Sequence, residues 1–251
     1  MKFFVETSVA QRVSRTIDLA RRMETNAAII GVPGVGKTVA LNAYKESHPL
    51  TAMFTITPIL AGSLRSLLEE MCLQVGLYGG GSISDLEHRL LKFNVPLWSS
   101  QDSEMPPSSP HIVILDEAQN LPLKSLRQLL HMSVEDGGNI SFVFCGNNEV
   151  LKRVNTDHGA FAQISRRVTF REPIESILED DADLLASAFG TEGMDAYRLL
   201  RAIGAKFHAD GVVRVLKMAR QLGAEKVIRA SHILDAIEIL PQFRSAIRQY
   251  A

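Results

Sequence analysis

The sequence is poor in cysteine, with only Cys72 and Cys145 among 251 residues. That excludes a disulfide framework and a four-cysteine zinc site. Cys145 ends the apolar run Ile140–Cys145, so it is expected to be a buried, reduced thiol. An excess of one charge is lacking too: 27 Lys and Arg stand against 28 Asp and Glu, a formal charge of -1. Coating nucleic acid by overall charge is thereby excluded, and only a local basic face can serve. No apolar run approaches the ~20 residues that cross a bilayer, and the N-terminus shows no signal-peptide core, so a soluble, cytoplasmic chain without a membrane partner is expected. Global disorder is excluded as well, since 46% of the residues are apolar and 22% charged. That composition supports one large domain, or a large and a small one.

Periodicity divides the chain in two. Up to Pro173, apolar strand candidates alternate with amphipathic helices: Ala27–Ile30, Ala52–Thr57, Ile112–Leu115, Ile140–Cys145 and Arg167–Phe170 as strands, with helices over Ser8–Met23, Thr38–Glu46, Leu64–Val75, Ser84–Phe93 and Leu123–Met132. Alternation of this kind predicts an α/β fold with a parallel sheet covered on both faces. Asn94–Pro110 holds four prolines and five serines without periodicity and reads as a long functional or mobile loop. Beyond Pro173 only helices are expected, near Asp180–Phe189, Asp195–Phe207, Val212–Leu222 and Ser231–Leu240. The expected organisation is a nucleotide-binding α/β domain over 1–172 and an all-helical domain over 173–251.

Two motifs carry chemistry. Gly31-Val32-Pro33-Gly34-Val35-Gly36-Lys37-Thr38 fits G-x-x-x-x-G-K-[ST], directly after a strand and before a helix. The helix is the one expected over Thr38–Glu46, and Val39 lies in its first turn. The glycines of the loop let backbone N–H groups turn toward phosphate oxygens. Lys37 would neutralise the β- and γ-phosphates of ATP, and Thr38 would ligate Mg²⁺. The second motif is Asp116-Glu117 at the end of the strand Ile112–Leu115. Strand C-termini form the ligand edge of α/β sheets. There Asp116 can hold the Mg²⁺ water shell, and Glu117 can activate the attacking water as general base.

These motifs resemble the Walker A and Walker B elements of the AAA+ ATPases, and the resemblance assigns roles further along the chain. A sensor-1 residue is implied after the strand Phe142–Cys145, where Asn147 is the first choice and Asn148 the second. An arginine finger, reaching into a neighbouring subunit, is implied at Arg166 or Arg167, within Phe161–Val168. Gly211-Val212-Val213-Arg214 matches the G-x-x-R pattern of a sensor-2 arginine. The opening Phe4–Thr7, the basic first helix and the form of the phosphate loop look like the AAA+ regulators of DNA transposition. That group includes the phage Mu target-DNA activator, TnsC and TniB, and is related to IstB. The likeness implies an ATP-dependent homo-oligomer, ring or helical filament, that marks double-stranded DNA with little sequence preference and stimulates a transposase or another DNA-processing protein. No helix-turn-helix module precedes Phe4, so DNA contact is expected from the ATPase core and the helical tail.

Charge is distributed unevenly in that tail. From Tyr197 onward Arg198, Arg201, Lys206, Arg214, Lys217, Arg220, Lys226, Arg229, Arg244 and Arg248 face only Asp210, Glu225, Asp235 and Glu238. Such a bias suits contact with phosphates, which needs no base code, although a solvated helical surface would show the same residues. In the core, Lys92, Lys124, Arg127 and His131 could line a channel, and Trp98 could stack on a base or anchor its loop. The alternatives within the superfamily are a helicase loader or initiator, and an ATPase that switches protein partners.

Overall fold

The computed structural model describes residues 4–49, 51–92, 111–149, 166–223 and 227–248. The expected loop Asn94–Pro110 with Trp98, the stretch Phe161–Ser165 and Lys226 lie outside them. The elements follow in the order α1 (Ser8–Arg22), β1 (Ala27–Gly31), α2 (Lys37–Ser47), β2 (Ala52–Thr55), α3 (Pro58–Ala61), α4 (Leu64–Gln74) and α5 (Ile83–Lys92). Then come β3 (His111–Asp116), a 3-10 turn (Ala118–Asn120), α6 (Leu123–His131), a second such turn (Val134–Asp136), β4 (Ile140–Gly146) and β5 (Phe170–Ile174). The tail holds α7 (Glu179–Ala188), α8 (Met194–Gln221), α9 (Ala230–Ile239) and a last 3-10 segment (Pro241–Ala246).

Compact contacts group the residues into two units, one of Val13–Ile30 with Leu41–Pro173, the other of Met1–Arg12, Gly31–Ala40 and Ile174–Ala251. The first contains the sheet, in strand order β2-β3-β4-β1-β5. The β1–β4, β2–β3 and β3–β4 pairings are parallel, which puts the C-terminal ends of β1 and β3 on one edge, separated by β4. The central strands are mostly apolar, with Ser141 buried in β4 and Asp116 at the end of β3, because helices cover both faces of a parallel sheet. Phe54, Ile114, Phe142 and Phe144 are fully buried, each stabilising the fold by about 1.5–3 kcal/mol relative to exposure. Both cysteines are buried and neither is in a disulfide, as expected for Cys145, and burial raises the pKa of the Cys72 thiol.

Capping residues account for several helix starts. Thr57 Oγ1 accepts from Leu60 N at 3.3 Å, and Ser63 Oγ from Ser66 N at 3.3 Å. At α5 the cap is reciprocal: Asp85 N donates to Ser82 Oγ (3.2 Å), while Asp85 Oδ2 accepts from Ser82 N (2.7 Å), a capping box. These bonds hold the Asp85 carboxyl below its usual pKa.

One sequence reading changes. The last strand runs over Phe170–Ile174 rather than Arg167–Phe170. It includes Pro173, which a strand tolerates at a sheet edge because the missing N–H has no ladder partner to leave unpaired; β5 stands at that edge. The two helices expected over Asp195–Phe207 and Val212–Leu222 are both present within α8, on either side of a kink at His208, whose angles (φ 56°, ψ -161°) are non-helical. Beside the kink the Phe207 ring meets Phe243 edge-on at 4.9 Å, and a Cβ on Gly211 would lie 2.4 Å from Phe207 Cβ.

Candidate active site

Strand β1 delivers the chain straight into the phosphate loop. Gly34 (φ 85°) and Gly36 (φ 106°) take left-handed backbone angles, which side-chain-bearing residues adopt only with strain. Gly31 is required for a different reason. A Cβ there would lie 2.5 Å from the Ile174 carbonyl oxygen, and Val32 N donates to that same oxygen at 3.2 Å. Val35 is buried and pins the loop, whereas Pro33, Thr38 and Val39 are exposed. Lys37 Nζ donates to the carbonyls of Gly31 (2.8 Å) and Val32 (3.0 Å), so the ammonium is held against the start of its own loop. The first turn of α2 carries no acidic residue, so the positive end of its helix dipole suits an anion. Space where a Cβ of Gly36 would stand is open. The loop thus fits a polyphosphate.

The helical tail supplies two residues to this loop. Asp210 N donates to Gly34 O at 2.9 Å, and Asp210 Oδ2 pairs with Arg214 Nε at 2.8 Å. Arg214, read as the sensor-2 arginine, is therefore tied one helical turn from the backbone contact to the loop. Sequence reading missed Asp210, since only the fold brings it to Gly34.

In the sheet unit, β3 ends in a buried Asp116 and an exposed Glu117. Asp116 Oδ1 accepts from Glu117 N at 3.0 Å, and Asp116 O accepts from Ile56 N at 2.8 Å. Glu117 itself has φ 56°, an angle that costs a non-glycine residue about 1–2 kcal/mol. Gln119, unread in the sequence, connects the candidate residues. Its Nε2 donates to Glu117 Oε2, and its Oε1 accepts from Asn147 N at 3.2 Å. Asn147 Oδ1 in turn accepts from Glu149 N at 2.8 Å. The fold thus brings Asn147 to Glu117 through Gln119, while Asn148 is an exposed turn residue.

The adjacent arginines differ. Arg167 is bound by Asp136 through both oxygens, Nε to Oδ1 at 3.0 Å and Nη2 to Oδ2 at 2.8 Å. His131, once grouped with channel-facing residues, contacts the same carboxylate at 2.8 Å. Arg166 is exposed. In the tail, basic residues also have carboxylate partners: Arg198 pairs with Asp195, Arg201 with Asp183 and Glu179, and Arg214 with Asp210. The hydrogen bond and charge of Asp183 hold the Arg201 pKa above its usual value. Acidic α7 thus offsets part of the basic bias. Lys124 is exposed on α6 and Lys92 at the end of α5, whereas Arg127 is half-buried.

Among the described residues no three His, Cys, Asp or Glu side chains gather into a metal cluster, and no helix is long and apolar enough to cross a membrane. A parallel sheet whose first strand opens into this loop, with an Asp-Glu pair ending a strand on the same edge, defines a P-loop nucleotide-binding protein. The chain belongs to the AAA domain family, whose pattern matches residues 21–154. It is similar to the Mu-like prophage FluMu DNA transposition protein B of Haemophilus influenzae, 27% identical over 209 residues that cover 80% of this chain and 66% of that protein. It is equally similar to the ATP-dependent target DNA activator B of Escherichia phage Mu, 27% identical over 227 residues, 88% of this chain and 66% of the relative. The chain therefore spans just 66% of the length of these relatives. Solved structures share the fold: the Aeropyrum pernix ORC2 protein in ADPNP–ADP complexes (TM-score 0.63, 18% identity, 91% of this chain and 66% of that one), and a Thermotoga maritima RuvB variant (TM-score 0.54, 15% identity, 94% and 70%).

Proposed function

We propose that this chain is an ATP-hydrolysing subunit of a homo-oligomer, ring or helical filament, that binds double-stranded DNA with little sequence preference and stimulates a transposase in the cytoplasm. The names of its relatives support the transposition context. The observation that carries hydrolysis is Glu117, a carboxylate beside the buried Asp116 and bridged to Asn147. A site for binding alone has no use for a base in that place. In this reading residues 1–172 bind the nucleotide and 173–251 form the lid.

Lys37 neutralises the β- and γ-phosphates, and Gly31, Val32, Pro33, Gly34, Val35, Gly36 and Val39 complete the cradle around it. Thr38 and Asp116 are hard oxygen donors suited to Mg²⁺, which when bound supplies charge neutralisation at the phosphates. Glu117 orients the attacking water and accepts its proton, Asn147 marks the γ-phosphate, and Arg214 leaves Asp210 to meet the same charge. Arg166 is the better finger, because Arg167 is committed to Asp136 within its own subunit. The exposed Lys206, Lys217, Arg229, Arg244 and Arg248 supply phosphate contacts, each too weak singly and summed by assembly.

Two variants test this. Lys37→Ala is expected to lose nucleotide binding in a fluorescent-nucleotide titration. Glu117→Gln is expected to bind ATP normally while turnover falls about 10²- to 10⁴-fold. Wild-type turnover in Glu117→Gln would overturn the assignment of the base.

A further inference from the structure

The 3-10 turn after β3 is anchored on both sides. Asn120 Nδ2 donates to Ile56 O at 2.7 Å, Asn120 N donates to Glu117 O at 2.9 Å, and Ala118 and Leu121 are each 4% exposed. Its backbone is therefore fixed, and Glu117 is held at a left-handed angle that persists only where surrounding contacts dictate it. A strained residue at such a place is a device for aiming a side chain. What the backbone leaves undetermined is the direction of the Glu117 carboxylate, which has free rotations about its own side-chain bonds. Gln119 supplies that restraint with a single amide group: the NH₂ end donates to Glu117 Oε2, and the oxygen end accepts from the backbone N–H of Asn147.

We propose that Gln119 is a positioning residue that sets the Glu117 carboxylate and couples its direction to the segment Gly146–Asn147 at the end of β4. The amide is rigid and planar, so a shift of the Asn147 N–H donor draws the Gln119 oxygen and turns the NH₂ end with it. Any ligand that draws Asn147 toward itself thereby reorients Glu117. The chemistry also explains the residue type. A carboxylate in place of Gln119 could still accept from Asn147 N but would repel Glu117, and a shorter amide could not reach both partners. This inference rests on the hydrolytic reading above for its effect on turnover, but not for the bridge itself.

The test has two independent readouts. In ATPase assays Gln119→Ala is expected to lower kcat about 10- to 100-fold, a part of what a positioned base contributes, with KM and nucleotide affinity within about twofold of wild type. Gln119→Glu keeps the acceptor and removes the donor, and is expected to lose kcat as fully. A kcat unchanged in both variants, or a loss shared equally with nucleotide affinity, overturns the positioning role. Nuclear magnetic resonance of the Gln119 side-chain amide reads the bridge directly. Its resonance is expected to move in Glu117→Ala, and to move on addition of a non-hydrolysable ATP analogue. A resonance indifferent to Glu117→Ala overturns the bridge. If the wild-type chain turned over no ATP, the hydrolytic reading would fail, and the amide resonance would still decide whether Gln119 joins the two residues.

Discussion

Replacing Asn26 with alanine is expected to damage the sheet unit more than its polarity suggests. The residue is fully buried one position before β1. Its Oδ1 accepts from Phe142 N at 2.9 Å, in effect extending the β1–β4 ladder by a side chain. Its Nδ2 donates to Ser133 Oγ (3.0 Å) and to Arg167 O (2.7 Å). Alanine removes all three bonds and leaves the Phe142 N–H without a partner in the buried strand β4. An orphaned buried donor costs about 1–3 kcal/mol, and each ordinary bond lost about 0.5–1.5 kcal/mol. Ser133 suffers least, because its hydroxyl still donates to Leu130 O at 2.7 Å. The sum is about 2–6 kcal/mol, a large share of the ~5–15 kcal/mol typical of a folded protein. Urea unfolding followed by circular dichroism should show a midpoint lower by about 1–3 M, taking a slope of about 2 kcal/mol/M. A loss below about 1 kcal/mol at unchanged slope would refute this bond-by-bond reasoning.

The two arginines should separate in mixing experiments: Arg166→Ala is expected to lose turnover and recover part of it when mixed with Glu117→Gln, whose subunits supply the missing finger. Arg167→Ala is expected instead to lose about 1–2 kcal/mol of stability, from its paired bonds to Asp136, and to show no rescue; the reverse pattern would exchange the roles. Because the folded pKa of Asp85 is depressed by Ser82, its contribution is present above the unfolded carboxyl pKa of about 4 and fades as pH falls below it. Protection of amides at the start of α5, measured relative to their intrinsic exchange rates, should accordingly fall below about pH 4, and Ser82→Ala should remove that pH dependence.

Much of the site was legible because it is local. Gly31–Thr38 is contiguous, and its chemistry follows from its residue types; Asp116 and Glu117 follow from a buried strand that ends on acidic residues. Helix α4, expected over Leu64–Val75, was legible from the period of its apolar residues and runs over Leu64–Gln74. The bridge through Gln119 was not, because it depends on a 3-10 turn and on a strand 28 residues away by chain number, from Gln119 to Asn147. Asp210 escaped for the same reason, since its partner Gly34 is remote in sequence. Asp136 was invisible beside Arg167 until the fold joined them, and only that pairing distinguishes Arg167 from Arg166. Strand β5 was misplaced because Val168 and Thr169 suggest a strand by composition, whereas Pro173 argues against one unless the edge position is known.

The most direct test of ATP-controlled DNA binding is a fluorescence anisotropy titration of the wild-type chain on unrelated duplexes, with ATP, ADP or no nucleotide, at two salt concentrations. Binding is expected with ATP on every duplex, falling steeply as salt rises because phosphate contacts release counterions, and collapsing with ADP as assembly is lost. Equal affinity with ATP and ADP would contradict the coupling of nucleotide to assembly, and no binding with ATP at low salt would contradict the DNA-binding function itself.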